Sequence, residues 1–335
     1  MRNNEMHEAG QGVLEDGHGR RFYYLRLSVT DACNFRCDYC LPEGYRARAG
    51  EAAPLSVAEA ATAMRAFARL GTRKVRLSGG EPSLRADLPD IIAAARNTPG
   101  IRRVAVTSNG YKLPKVIDEW RRSGLDQLNI SIDSLDAAEF ARITGHDCLP
   151  RIRTGIDRAL ELGVQTKVNA VLLSDGATER LQQFLDWLRD TPVTLRFIEL
   201  MQTGDNRDYF ASNHLRGDTI ERQLIESGWQ LLPRAIDAGP AREYAHPDYR
   251  GSIGLITPYS RDFCQSCNRL RVSAQGKLHL CLFADAGLDL REEIRRGDVA
   301  ALAERIQTLV GGKAASHYLQ QGQTGATRNL SVIGG

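Results

Sequence analysis

The sequence predicts an α/β fold of parallel strands joined by crossover helices, and three observations carry that expectation. Apolar runs rich in Val, Ile and Leu alternate with amphipathic stretches of helical period from about residue 22 to residue 210. Gly71, Gly124 and Gly163 each follow a helical stretch, where a glycine enters the left-handed turn at no steric cost. A chain of 335 residues with 42% hydrophobic content can bury a large core, as one α/β domain with an appended module or as two ordinary domains.

Residues 1–20 mix Gly, Asn, Asp and Glu with little apolar content and read as a flexible leader. Strands are expected at Tyr23 to Thr30, Lys74 to Ser78, Arg103 to Thr107, Gln127 to Ile132, Thr166 to Leu172 and Thr194 to Glu199. Between them, apolar residues at three- and four-residue intervals predict helices at Val57 to Leu70, Leu88 to Arg96, Pro114 to Arg122, Arg151 to Leu162 and Glu179 to Arg189. Such a chain forms either an open doubly wound sheet or a full or partial barrel, and periodicity does not choose between them. The rhythm breaks after about residue 210 into short strands at Trp229 to Leu232, Ser252 to Ile256, Arg269 to Ser273 and Leu278 to Leu280, then a helical stretch from Leu290 to Val310. Residues 211–335 therefore read as a C-terminal α+β module packed on a main domain of residues 21–210.

Composition excludes several function classes. Lys and Arg number 44 against 41 Asp and Glu, a net charge of +3, which lacks the one-sided basic excess of a general nucleic-acid binder. No apolar run approaches the length of about 20 residues that spans a bilayer, and the first residues lack the apolar core of a secretion signal. A cytoplasmic location follows, so the seven cysteines are expected as reduced thiols, and six of them fall into two tight clusters.

Cys33, Cys37 and Cys40 stand as C-x3-C-x2-C directly after the first predicted strand, where α/β enzymes place their chemistry. Three thiolates on one loop can each reach an iron of a [4Fe–4S] cube and leave the fourth iron open for a small molecule. A structural zinc loop is the competing reading, but no fourth ligand at C-x2-C or H-x3-H spacing lies nearby. At these residues, with the aromatic Tyr39 before the last cysteine, the chain resembles the radical S-adenosylmethionine (SAM) superfamily. The resemblance implies a partial (βα)6 TIM-type barrel, with SAM bound at the open iron and cleaved to a 5′-deoxyadenosyl radical. Leu77-Ser78-Gly79-Gly80-Glu81-Pro82 is similar to the glycine-rich segment that holds the SAM amino group in that superfamily. By the same resemblance Tyr39, Gly80, Ser131 and Met201 are expected around SAM.

Cys264, Cys267 and Cys281 form C-x2-C-x13-C, and the turn at Ala274-Gln275-Gly276-Lys277 predicts a hairpin that returns Cys281 toward the CxxC. A zinc knuckle with His279 as fourth ligand competes with a second [4Fe–4S] cluster here. The whole pattern, with Arg-Leu-Arg two residues beyond Cys267, resembles the GTP 3′,8-cyclase family of molybdenum cofactor biosynthesis from about residue 22 to residue 335. That resemblance implies GTP as substrate, with Arg26, Arg76, Thr107, Lys167, Arg269, Leu270 and Arg271 in contact with it. Arginine suits that task because its planar fork pairs with phosphate oxygens. Arg196 is a further candidate for the cavity, Gly334 and Gly335 are expected to reach into the active site, and Cys148 is assigned no role.

The implied reaction is abstraction of the ribose H3′ of GTP by the 5′-deoxyadenosyl radical, addition of C3′ to guanine C8, and reduction to (8S)-3′,8-cyclo-7,8-dihydro-GTP. The implied partners are an electron donor such as flavodoxin or ferredoxin and the next enzyme of the pathway, cyclic pyranopterin monophosphate synthase; a homodimer is compatible with the sequence. The alternative is another twin-cluster radical SAM enzyme that modifies peptides or sulfatases, which has no use for a triphosphate site.

Overall fold

The computed structural model describes residues 12–47, 50, 52–284, 286–325 and 333. Its centre is six parallel strands: β1 (Tyr24–Thr30), β2 (Lys74–Gly79), β3 (Arg103–Ser108), β4 (Gln127–Ser131), β5 (Gln165–Leu172) and β6 (Thr194–Glu199). The crossovers carry α1 (Val57–Arg69), α2 (Leu88–Arg96), α3 (Leu113–Arg122), α4 (Ala137–Thr144), α5 (Leu149–Glu161) and α6 (Ala177–Asp190). Leu25, Leu27, Val75, Leu77, Leu195 and Phe197 belong to the apolar core beneath these helices. Their neighbours Tyr24, Arg26, Arg76 and Arg196 face the other way, and they too are buried.

That alternation decides the architecture. A doubly wound parallel sheet is apolar on both faces because helices cover both. Here one face is apolar and the other polar, yet both are removed from solvent, so the polar face lines an enclosed lumen. Residues of β1, β2, β5 and β6 share one cavity wall, as they can only if the sheet curls into a partial barrel.

The C-terminal part comprises α7 (Arg207–Asn213), α8 (Gly217–Glu226), β7 (Gln230–Leu231), β8 (Arg242–Ala245), β9 (Ser252–Ile256), β10 (Arg269–Val272), β11 (Lys277–His279), β12 (Leu288–Asp289), α9 (Arg291–Arg296) and α10 (Val299–Val310). The sequence predicts an α+β module packed on the main domain, and the strands of this part pack there by edge pairing. Among the described residues they continue the barrel sheet at both edges, in the order β12-β11-β10-β1-β2-β3-β4-β5-β6-β9-β8-β7. β9 runs parallel to β6 with Gly254 opposite Arg196, and β10 runs parallel to β1 with Arg271 opposite Arg26. Residues 257–268 carry the chain from one edge to the other across the open side of the barrel.

Other differences have local causes. The helical stretch expected from Leu290 to Val310 is two helices, because Gly297 turns left-handed at φ +74° and Asp298 then caps α10 through the Ala300 and Ala301 N–H groups. The leader expected to be flexible over residues 1–20 is packed from residue 12 onward. Leu14 is buried, its N–H donates to the Leu70 carbonyl at 3.0 Å, and Phe22 N–H returns to the Leu14 carbonyl at 3.0 Å. Polar composition misleads there because one leucine and one ion pair anchor the segment. Residues 1–11 lie outside the described residues.

Helix α5 packs on α3 through Gly155, where a Cβ would lie 2.7 Å from Leu113 Cγ and 2.9 Å from Leu113 Cβ. Gly155→Ala should gain about 1 kcal/mol of helix propensity and lose about 1–3 kcal/mol to overpacking against a fully buried leucine. The expected net result is a loss of about 1 kcal/mol, read as a lower denaturant midpoint with an unchanged slope. A higher midpoint would mean that Leu113 repacks.

Candidate active site

The loop after β1 carries Cys33, Cys37 and Cys40, and α4 braces it. The Arg36 and Asp38 N–H groups donate to the Thr144 and Ile143 carbonyls at 3.1 Å each. Phe35 turns into the core and stacks on His146 with ring centroids 4.6 Å apart, while His146 Nε2 lies 2.7 Å from the Asn34 carbonyl. Helix α4 was missed in the sequence reading, although its start is signalled by Asp136, whose carboxylate accepts from the Glu139 N–H at 2.7 Å.

Gly79 and Gly80 press their backbone against the base of that loop. The Gly80 and Glu81 N–H groups donate to the Thr30 and Ala32 carbonyls at 2.8 and 2.7 Å. A Cβ on Gly79, at φ +129°, would lie 2.1 Å from Thr30 O, and one on Gly80 would lie 2.2 Å from Ala32 O. Glycine is therefore demanded by the contact between two loops as well as by the open space in front of them. Glu81 points into the protein, where its carboxylate accepts from Ser83 N, Ser108 Oγ and Asn109 N at 2.9, 2.8 and 2.6 Å and ties the β2 loop to the β3 loop.

Tyr39, Gly80, Ser131 and Met201 all line the cavity bounded by the first three cysteines. So does Thr107, which was expected beside GTP. The Tyr39 hydroxyl donates to Asp133 Oδ2 at 2.9 Å, Asp133 Oδ1 accepts from the Val171 N–H at 2.8 Å, and burial pushes the Asp133 carboxyl up to about 6. Burial likewise pushes the Cys33 thiol up to about 11 and Cys37 well above its usual range, with Glu81 and Asp133 adding to the effect.

The second triad has the opposite electrostatics. Cys264 and Cys267 lie in residues 257–268, and the β10–β11 hairpin returns the chain so that Cys281 lines the same cavity. Around them stand Arg20, Arg26, Arg76, Arg196, Arg269, Arg271 and Lys313, with no Asp or Glu among the described lining residues. Burial first and Arg269 second hold Arg271 down to about 10; burial and Arg76 hold Arg196 down to about 9. These cations repel one another in a space with little water, which favours capture of a polyanion. Burial opposes ionisation of Cys267, but Arg269 and Lys313 outweigh it and bring the thiol down to about 7.

The two cavities share Asn169, Ile198 and Met201 as walls, so they open into one lumen with a thiol triad on each side. The buried Thr107 Oγ1, Asn169 Oδ1, Arg76 Nε and Arg196 Nε have no hydrogen-bond partner among the described residues. Four of the residues expected near GTP, Arg26, Arg76, Arg269 and Arg271, line the cationic cavity. Lys167 pairs with Glu243 of β8 instead, and burial followed by Arg196 lowers it to about 8. Leu270 lies opposite Leu25 with its side chain in the apolar core, so only its backbone, the part the resemblance implies for it, is left to meet a substrate. Gly334 and Gly335 lie outside the described residues, but the carbonyl of Ile333 accepts from Arg271 Nη1 at 3.1 Å. Arg20, Lys313 and Glu243 were missed, for no spacing or periodicity sets them apart.

Three free thiols around each cavity are the donor chemistry of iron–sulfur clusters. A closed zinc site would draw its ligands around one point. His279, the fourth zinc ligand that the sequence offers, lies against Gly287 and is not among the described walls of the cavity. Each triad supplies the three thiols that a cluster with one open iron would take.

The contrast between the triads is measurable in metal-free, reduced protein. Cys267 should alkylate with a midpoint near pH 7, whereas Cys33 should stay largely unmodified below about pH 9. Peptide mass spectrometry after timed iodoacetamide pulses checks this, and Arg269→Gln should move the Cys267 midpoint upward.

Comparison with known proteins agrees with this arrangement. The profile of the Radical SAM superfamily matches residues 27–188, and that of Molybdenum Cofactor Synthesis C matches residues 193–319. A protein of Stenotrophomonas maltophilia (strain R551-3) named GTP 3′,8-cyclase is 56% identical over 324 residues, 96% of this chain and 99% of that protein. One of the same name from Cronobacter sakazakii is 54% identical over 325 residues, again 96% and 99% of the two chains. The structure of Streptococcus suis SuiB bound to S-adenosylmethionine superposes with a TM-score of 0.60 at 12% identity, over 87% of this chain and 69% of that one, a likeness of fold.

Proposed function

The chain belongs to the GTP 3′,8-cyclase family, and from that premise we propose that it is a lyase converting GTP to (8S)-3′,8-cyclo-7,8-dihydro-GTP, the first step of molybdenum cofactor biosynthesis. The observation that carries this reading is the single lumen flanked by two thiol triads and walled on one side by a cluster of arginines and a lysine, with no Asp or Glu among the described lining residues there. A neutral or cationic substrate would leave those cations mutually repelling.

Cys33, Cys37 and Cys40 would hold one [4Fe–4S] cluster, and Cys264, Cys267 and Cys281 a second. When bound, SAM and the first cluster supply reductive bond cleavage and hydrogen abstraction from the ribose. The chain's own residues do the positioning. Gly80 and Ser131 offer close backbone and a hydroxyl on the SAM side, and Met201 stands at the junction where SAM and substrate meet. Arg76, Arg196, Arg26, Arg269 and Arg271 grip the triphosphate with forked, fixed donors. Thr107 and Asn169 bring unsatisfied polar atoms to the same junction, ready for a ligand group. The enclosed barrel keeps water from a reactive substrate carbon.

An electron donor such as flavodoxin or ferredoxin supplies the reducing equivalents, and cyclic pyranopterin monophosphate synthase takes the product. We assign the reaction to the cytoplasm; no helix among the described residues is long and apolar enough to cross a membrane.

Anaerobic reconstitution should load about eight irons per chain, the content of two cubes, and SAM, reductant and GTP should together yield 5′-deoxyadenosine and a cyclised nucleotide. Arg76→Ala should lower kcat/KM for GTP about 10–100-fold, the worth of one charged hydrogen-bonding group, without loss of iron. Full iron and SAM cleavage with GTP unchanged would refute the substrate; zinc in place of iron would refute the chemistry.

A further inference from the structure

We propose that Arg20, locked by Asp16, is the positioning residue that shapes the second thiol triad for its cluster, resting on the assignment of Cys264, Cys267 and Cys281 as cluster ligands. Asp16 accepts from the His18 and Arg20 N–H groups through Oδ1 at 2.9 and 3.0 Å and from Arg20 Nε through Oδ2 at 2.6 Å. Its side chain is wholly buried and that of Arg20 nearly so, at 0% and 7% exposure. The guanidinium therefore has one rotamer and one direction.

Its other two nitrogens bridge two separate loops. Nη1 donates to the Ala315 carbonyl at 2.8 Å and the Cys264 carbonyl at 3.3 Å, and Nη2 donates to the Ala314 carbonyl at 2.6 Å. One loop carries the CxxC. The other carries Ser316, whose hydroxyl lies 3.8 Å from Cys264 Sγ, and Lys313, whose ammonium donates to the Leu280 carbonyl next to Cys281. Arg20 also forms part of the cavity wall itself. A single buried cation thus sets the spacing between the segments that present Cys264 and Cys281.

Only arginine can do this. Three carbonyls and one carboxylate are met by donors in a rigid plane, whereas a lysine offers one nitrogen. Supporting contacts of this kind commonly change metal affinity 10–100-fold when removed. A general strut would act differently, for its loss would lower the stability of the whole barrel and the loading of both clusters together.

The test uses full-length protein reconstituted anaerobically, as wild type, Arg20→Ala, Arg20→Lys and Asp16→Asn. The readouts are iron and sulfide content, the electron paramagnetic resonance of the reduced clusters with and without GTP, and melting temperature. Wild type should hold about eight irons and Arg20→Ala about four, with the first-cluster signal and SAM cleavage retained and the GTP-dependent spectral change lost. Arg20→Lys and Asp16→Asn should stay folded and bind the second cluster at least about tenfold more weakly on chelator challenge. Eight irons with an unaltered GTP-dependent spectrum in Arg20→Ala would overturn the assignment. So would loss of both clusters in parallel in Arg20→Lys, which marks a strut. A wild-type protein that itself takes up only about four irons would remove the second-cluster reading and this one with it.

Discussion

Like charges held close together inside a barrel are the constraint on which the rest of this structure depends. Arg26 stands beside Arg76 in the ladder on one side and beside Arg271 on the other, and Arg196 projects into the same lumen. Burial and mutual repulsion lower the pKa values of Arg26, Arg76, Arg196 and Arg271. Such a cluster destabilises the fold and stabilises a bound polyanion for the same reason. The apolar outer face and its helices offset that cost, and Tyr24, its ring 5.4 Å from Arg76, places an aromatic face beside one of the cations. The site is thus strained in the electrostatic sense before any ligand arrives, as functional sites often are.

The two cysteine triads are tuned in opposite directions by what surrounds them. In the first, burial, with Glu81 and Asp133 adding to it, makes Cys33 and Cys37 resist ionisation, so these thiols give up their protons to a metal. In the second, Arg269 and Lys313 outweigh burial at Cys267, so the thiolate of that residue is favoured beforehand. Net charge and hydrogen bonds around a cluster set its potential. An environment rich in cations at one end and acidic at the other is a physical basis for two clusters with different tasks in one lumen.

Continuity of the sheet makes that lumen a single object. Since β9 and β10 extend opposite edges, the segment between them must pass over the open side of the barrel, and it is this segment that carries Cys264 and Cys267. Gly254 shows how tightly the extension fits, because a Cβ there would lie 2.9 Å from Arg196 Cγ and 3.3 Å from Glu243 Cγ. Glu243 passes beside that position and pairs with Lys167 from a different part of the chain.

Local patterns in the sequence determined the six barrel strands and five of their crossover helices, the loop position of the first triad and the hairpin behind the second, because these depend on residues near one another in the chain. Periodicity left an open sheet and a barrel equally open, and the partial barrel was expected only from the resemblance carried by the first triad; burial of Arg26 and Arg76 on the polar face is what decides for it. Only tertiary structure decided that the C-terminal strands join both edges, that Lys167 meets Glu243, and that residues 12–20 pack down to place Arg20 between two loops, one 244 and the other 294 residues farther on. Those outcomes rest on hydrogen bonds and ion pairs between distant segments. Their partners have no sequence spacing to reveal them, and they exist only once the sheet has curled.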